Sequence, residues 1–139
     1  MTDKLYEIIR RYEQNGDFTH AVVTEDMLKE SESRLGAKLP EEYKQFLKTF
    51  GHGGIGGIEV LGIGKNGTML FETETIKYRD YGMPNNLLII ENCDEWVYCI
   101  DVNNGKVVMW SGGCASYSNA YNCFNEFLQD RVNDILENM

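Results

Sequence analysis

Two stretches of this chain match the glycine pattern with which a dinucleotide-binding loop approaches a pyrophosphate. Gly51-His52-Gly53-Gly54-Ile55-Gly56 and Gly62-Ile63-Gly64-Lys65-Asn66-Gly67 both read G-x-G-x-x-G. That chemistry needs a loop that leaves a strand and opens a helix, so that backbone N–H groups at the helix N-terminus meet the phosphates. The first stretch leaves a helical pattern and enters an apolar, β-branched one, which is the wrong order. The second leaves a strand-like segment and can open a helix, with Asp80 downstream, but no parallel crossover of the usual length follows. Neither is a P-loop, because Lys65 is followed by Asn66 and no glycine stands at the required upstream position. Both stretches are read as turn and bulge glycines, and no cofactor is expected.

Other reactive residues do not assemble into a catalytic set. Cys93, Cys99, Cys114 and Cys123 form no Cys-x-x-Cys pair, and His20 and His52 lie far from them in sequence. Free thiols in a reducing compartment are expected in place of a zinc site. Cys93 or Cys114 with His52 has the residue types of a nucleophile and a base, but no local signature supports the pairing. Asp94 and Glu95 are adjacent acids in a loop, a pattern that solvation explains. No enzyme activity is expected.

Composition excludes further classes. The chain has 139 residues, 42% of them hydrophobic, and two prolines, which fits one compact domain over 1–139 and argues against disorder. No stretch approaches the roughly 18 consecutive apolar residues of a membrane span, and Met1-Thr2-Asp3-Lys4 does not begin a signal peptide, so the expected location is cytoplasmic, off the membrane. With 22 acidic against 13 basic side chains the net charge is −9. Direct binding of nucleic acid is disfavoured, and a basic partner or plain solubility accounts for the charge.

The elements that must position these residues follow from periodicity. Leu5, Ile8, Ile9 and Tyr12 mark a first amphipathic helix that ends near Asn15-Gly16. Thr24 is placed to cap a second helix through Met27, Leu28, Ser31 and Leu35, with Gly36 beyond its end. Pro40 starts a third, in which Tyr43, Phe46, Leu47 and Phe50 make one apolar stripe and Gly51 closes the helix. Ile55, Ile58, Val60, Leu61 and Ile63 read as one or two short strands. Met69 to Tyr81 reads as helix, and Leu87 to Glu91 as strand. Trp96 to Asp101 and Lys106 to Trp110 form a hairpin around Asn104-Gly105. A polar loop from Ser111 to Asn119 leads to a long terminal helix with Phe124, Phe127, Leu128, Val132, Ile135 and Leu136 on one stripe. N-terminal helices, a mainly antiparallel sheet and a covering C-terminal helix make an α+β fold.

The segment LPEEYKQFLKTFGHGGIGGIEVLGIG, Leu39 to Gly64, resembles the signature of the SUKH superfamily, the Smi/Knr-like domains, and the chain resembles its YobK-like bacterial branch. The resemblance runs from the second helix through the last. It implies the α+β plan just described. It also implies an immunity protein, which binds the toxin domain of a polymorphic secreted toxin, commonly a nuclease, and neutralises it by occlusion. The alternative it implies is a non-catalytic scaffold or regulatory module of cell-wall synthesis, as for the yeast namesakes.

A recognition surface is the remaining candidate site. Glu91, Asp94, Glu95, Trp96 and Tyr98 combine acids with aromatics around one strand start, and strand alternation puts Trp96 and Tyr98 on one face. Asp80, Tyr81, Tyr117 and Tyr121 offer more of the same chemistry. Trp and Tyr supply contact area at little entropic cost, and acids can meet Lys or Arg of a basic toxin. Core packing competes for Trp96, Tyr98 and Trp110, whereas the acids are expected at the surface. A monomer and a homodimer are both compatible with the sequence.

Overall fold

The structure, a computed structural model, describes residues 2–112 and 116–138. Cys114, read above as a thiol, lies outside the described residues. Three helices open the chain: α1 Thr2–Tyr12, α2 Glu25–Leu35 and α3 Glu41–Phe50. Thr24 caps α2 as its spacing predicts, its hydroxyl accepting from Met27 N–H, and Gly36 closes that helix in the left-handed conformation. Pro40 sits one position outside the first turn of α3, extended at φ −63° and ψ 148°, and so is the N-cap of this helix and not its first residue.

Tyr43, Phe46, Leu47 and Phe50 are all fully buried, so the apolar stripe of α3 is the centre of the core. The Tyr43 ring meets Phe71 edge-on at 5.4 Å and Phe124 at 5.2 Å, which ties α3 to the two later helices. Its hydroxyl, the one polar atom on that stripe, donates to Leu61 O at 2.5 Å. Burial without an acceptor would cost a few kcal/mol, so this bond fixes how the following segment runs over the helix.

That segment is not the one or two short strands that its β-branched residues suggest. Ile55–Gly57 is a single 3₁₀ turn, with Gly56 at φ 62° and ψ 24°, and beyond it the extended backbone makes only isolated bridges, Gly53 with Val60 and Ile63 with Met69. The left-handed residue breaks the extended run before a ladder can form, so the apolar side chains are buried from irregular backbone. The glycines serve close approach. A Cβ on Gly62 would lie 1.8 Å from Gly51 O, and one on Gly53 would lie 1.9 Å from Asp17 O. His52 bonds across the same junction, its Nδ1 accepting from Gly62 N–H at 2.9 Å.

After α4, Leu70–Arg79, come β1 Leu87–Asn92, β2 Val97–Asp101, β3 Val107–Trp110, β4 Ser118–Tyr121 and α5 Phe124–Glu137. The strands form one antiparallel sheet in the order β1-β2-β3-β4. The β2–β3 hairpin is where Asn104-Gly105 predicts it, but its turn is longer than the two residues this pair favours, closed by Asp101 N–H donating to Lys106 O, with positive φ at Gly105 and not at Asn104. The strand β4 is a finding of the structure, since its sequence, Ser-Asn-Ala-Tyr, carries no apolar alternation and reads as loop. Leu61 N–H donates to Ile90 O at 2.8 Å and covers the outer edge of β1.

Helices lie on both faces of the sheet. Tyr78 of α4 reaches Trp110 at 6.4 Å and accepts from Asn92 Nδ2, while Phe127 of α5 packs on Tyr98 at 5.2 Å. Leu87 to Ile90 are therefore buried throughout, the continuous pattern of a strand covered on two sides. Glu72 links α4 to α2 by accepting from Ser31 Oγ at 2.7 Å and from Arg34 at 2.8 and 3.0 Å.

Two measurements check this packing. Gly62→Ala is expected to cost more than about 3 kcal/mol in urea unfolding, because its Cβ meets backbone that cannot move alone. Gly112→Ala, with open space around it, should stay within about 0.5 kcal/mol. Burial, then the nearby Glu42 carboxylate, pushes the Tyr6 phenol up to about 12 from its ordinary 10.0. The fold favours the neutral phenol, so this contribution is full below pH 10 and lost as pH rises through 12; alkaline unfolding, followed with phenolate absorbance, should show it.

Candidate binding surface at the rim of the sheet

The β1–β2 connection is built by local hydrogen bonds. Asn92 Oδ1 accepts from Asp94 N–H at 2.9 Å, Cys93 N–H donates to Trp96 O at 2.9 Å, and Glu95 N–H donates to Cys93 O at 2.9 Å. Asp94 takes φ 68°, a conformation that Asp tolerates better than most side chains. This turn leaves Asp94 and Glu95 exposed at the rim and Trp96 half-buried just before β2. The Trp96 and Tyr98 rings meet edge-on at 6.2 Å, on one face as alternation predicts. Tyr121 of β4 continues the row at 6.1 Å from Tyr98, and Phe127 closes it against α5. Trp110, by contrast, is core at 1% exposure.

Glu91 corrects the expectation of a surface acid. It is 6% exposed and holds Arg131 of α5 in a two-pronged pair, accepting from Nε at 2.8 Å and from Nη2 at 2.7 Å. The cause is a bulge. Ile89 pairs with Cys99 but Glu91 pairs with Tyr98, so one extra residue in β1 moves Glu91 to the face that α5 covers. The carboxylate raises the Arg131 pKa by its hydrogen bonds, outweighing burial.

The other predicted residues are dispersed. Asp80 and Tyr81 follow α4, both exposed, and the Tyr81 ring lies 5.6 Å from Tyr78, which belongs to the opposite face of the sheet from Tyr98. Tyr117 immediately precedes β4 and is half-buried, its side chain turned away from the rim toward the far end of β2. Its hydroxyl donates to Asp101 Oδ2 at 3.2 Å and accepts from Asn86 Nδ2 at 3.0 Å, and Asn86 also bonds Asp101 Oδ1 at 3.0 Å. Asp94, Glu95, Trp96 and Tyr98 thus stay together, joined by Tyr121, whereas Asp80, Tyr81 and Tyr117 do not join them. Sequence reasoning missed the acids beside Tyr121. Glu126 and Asp130 stand four residues apart on α5, a spacing that places them on one helix face and was legible.

The residues with reactive side chains are engaged in structure. Because His52 Nδ1 accepts from Gly62, the ring proton sits on Nε2, which faces Glu59 Oε2 at 3.1 Å. Burial and the Glu91 carboxylate push the Cys93 thiol up, away from the nucleophilic thiolate. Around the second glycine pattern, Gly64 N–H donates to Thr68 O, Gly67 N–H to Gly64 O and Phe71 N–H to Gly62 O. Three backbone donors of this stretch are thus engaged within the chain. Among the described residues no three His, Cys, Asp or Glu side chains are grouped to hold a metal ion, and no helix is long and apolar enough to cross a membrane.

The family model SUKH_5, described as SMI1-KNR4 cell-wall, matches residues 5–133. A crystal structure of a protein from Pseudomonas syringae pv. tomato superposes with a TM-score of 0.67 at 23% identity, over 83% of this chain and 88% of that one. At that identity the likeness is one of fold.

The Glu91–Arg131 pair yields a stability test. Arg131→Ala strands a buried carboxylate and is expected to cost about 3 kcal/mol. The double variant Glu91→Leu with Arg131→Leu should recover much of that loss, as read from urea midpoints.

Proposed function

Since the chain belongs to the SUKH (SMI1-KNR4) family, matched over residues 5–133, we propose that it is a non-catalytic binding domain, an immunity protein that occludes a basic toxin domain. The observation that carries this reading is the rim. Exposed Asp94 and Glu95 border a continuous row of half-buried aromatics, Trp96, Tyr98 and Tyr121. Half-buried rings already ordered by the fold give contact area without further loss of side-chain entropy, and flanking carboxylates steer a cationic partner. Where the toxin is a nuclease, carboxylates stand where substrate phosphates would bind. A role as a scaffold in cell-wall synthesis is the second reading, favoured by the description of the matching family model.

The test is co-expression with the toxin domain encoded beside this gene. Protection of the host and a complex that weakens with salt are expected, and a toxin that kills regardless would sink the proposal. Asp94→Asn with Glu95→Gln keeps the turn and removes two charges. It should slow association about tenfold at low salt, measured by surface plasmon resonance.

A further inference from the structure

Where α5 meets the open edge of the sheet lies a groove of about 350 Å3, lined by Tyr121, Glu126, Gln129, Asp130 and Asn133. Tyr121 Oη donates to Asp130 Oδ2 at 2.6 Å, which fixes the ring and the carboxylate beside each other. The helix carries Glu126, Asp130, Asp134 and Glu137 against Arg131 alone, and Arg131 is bound to Glu91. The groove is therefore negative, with an aromatic wall.

Its neighbour β4 is the last strand of the sheet, yet it is a poor template for adding another. Val107 pairs with Tyr121 and Val108 with Asn119, so Ala120 is bulged out and the edge is twisted. Recognition at this edge falls to side chains. A metal ion fits poorly as the occupant, since no three ligand side chains are grouped among the described residues. A planar cation with several N–H donors suits one ring and two carboxylates better than the compact ammonium of lysine.

We propose that the groove receives an arginine side chain of the basic protein partner, its guanidinium against the Tyr121 ring and its N–H groups donated to Asp130 and Glu126. The partner's nature rests on the function proposed above; the groove's preference does not. The test is an NMR titration of the 15N-labelled chain with the peptide Gly-Arg-Gly-Arg-Gly at low salt, with Gly-Lys-Gly-Lys-Gly alongside. Amide shifts concentrated at Tyr121, Gln129 and Asp130, and an affinity for the arginine peptide at least threefold higher, are expected. Asp130→Asn, which keeps an acceptor for Tyr121, combined with Glu126→Gln should weaken binding at least fivefold, whereas Asp94→Asn with Glu95→Gln should not.

Equal response to both peptides, shifts spread over every acidic surface, or unchanged binding by the α5 variant overturns the inference. The same variant is then assayed against the toxin domain. A toxin complex that ignores it overturns the arginine contact while the proposed function stands. Arginine binding focused on the groove without any toxin complex upholds the groove and removes the proposed partner.

Discussion

The structure turns on one close approach of the chain to itself. The carbonyl of Gly51 occupies the space in which a side chain on Gly62 would stand, and the carbonyl of Asp17 does the same at Gly53. Backbone packed on backbone at this distance fixes the end of α3 against the segment from Val60 to Ile63. That segment then bonds β1 through Leu61, accepts from the Tyr43 hydroxyl, and receives the first turn of α4 at Gly62 O. Helix, edge and second helix are thereby set relative to one another before any side chain of the rim is considered. The glycines that resemble a phosphate loop are the means of this contact, and the N–H groups of Gly51, Gly53, Gly54 and Gly62 are bonded within the chain.

From that frame the candidate binding surface follows. With α4 on one face of the sheet and α5 on the other, a strand residue is buried or presented according to its face and its distance from the rim. Trp96, Tyr98 and Tyr121 lie under α5 only in part, so they are ordered and still reachable. The same helix neutralises Glu91 through Arg131 and leaves its own acids, Glu126 and Asp130, pointing to the groove beside Tyr121. Structural charge and surface charge are thus separated by a single helix. This division suits the proposed occluding role, because the ion pair that docks the helix does not use the acids left at the surface.

The amino-acid sequence by itself determined the helices, the β2–β3 hairpin and the α+β class, because these rest on local signals, and the resemblance of Leu39 to Gly64 pointed to the family. Thr24 and Gly36 bound α2, the Tyr43 to Phe50 stripe has helical period, and Asn104-Gly105 has the backbone freedom of a tight turn. It also determined that Trp96 and Tyr98 share a face. Only the tertiary structure decided the fate of Glu91, since a one-residue bulge near Ile90 reverses the face of every residue after it and leaves no mark in composition. It likewise decided that Ile55 to Ile63 forms neither one nor two strands and that Ser118–Tyr121 is a strand, because long-range backbone bonds, not side-chain preference, choose between these states. Tyr117 and Tyr81 were separated from the rim for the same reason: distance along the chain says nothing of which end or face of a sheet a residue reaches.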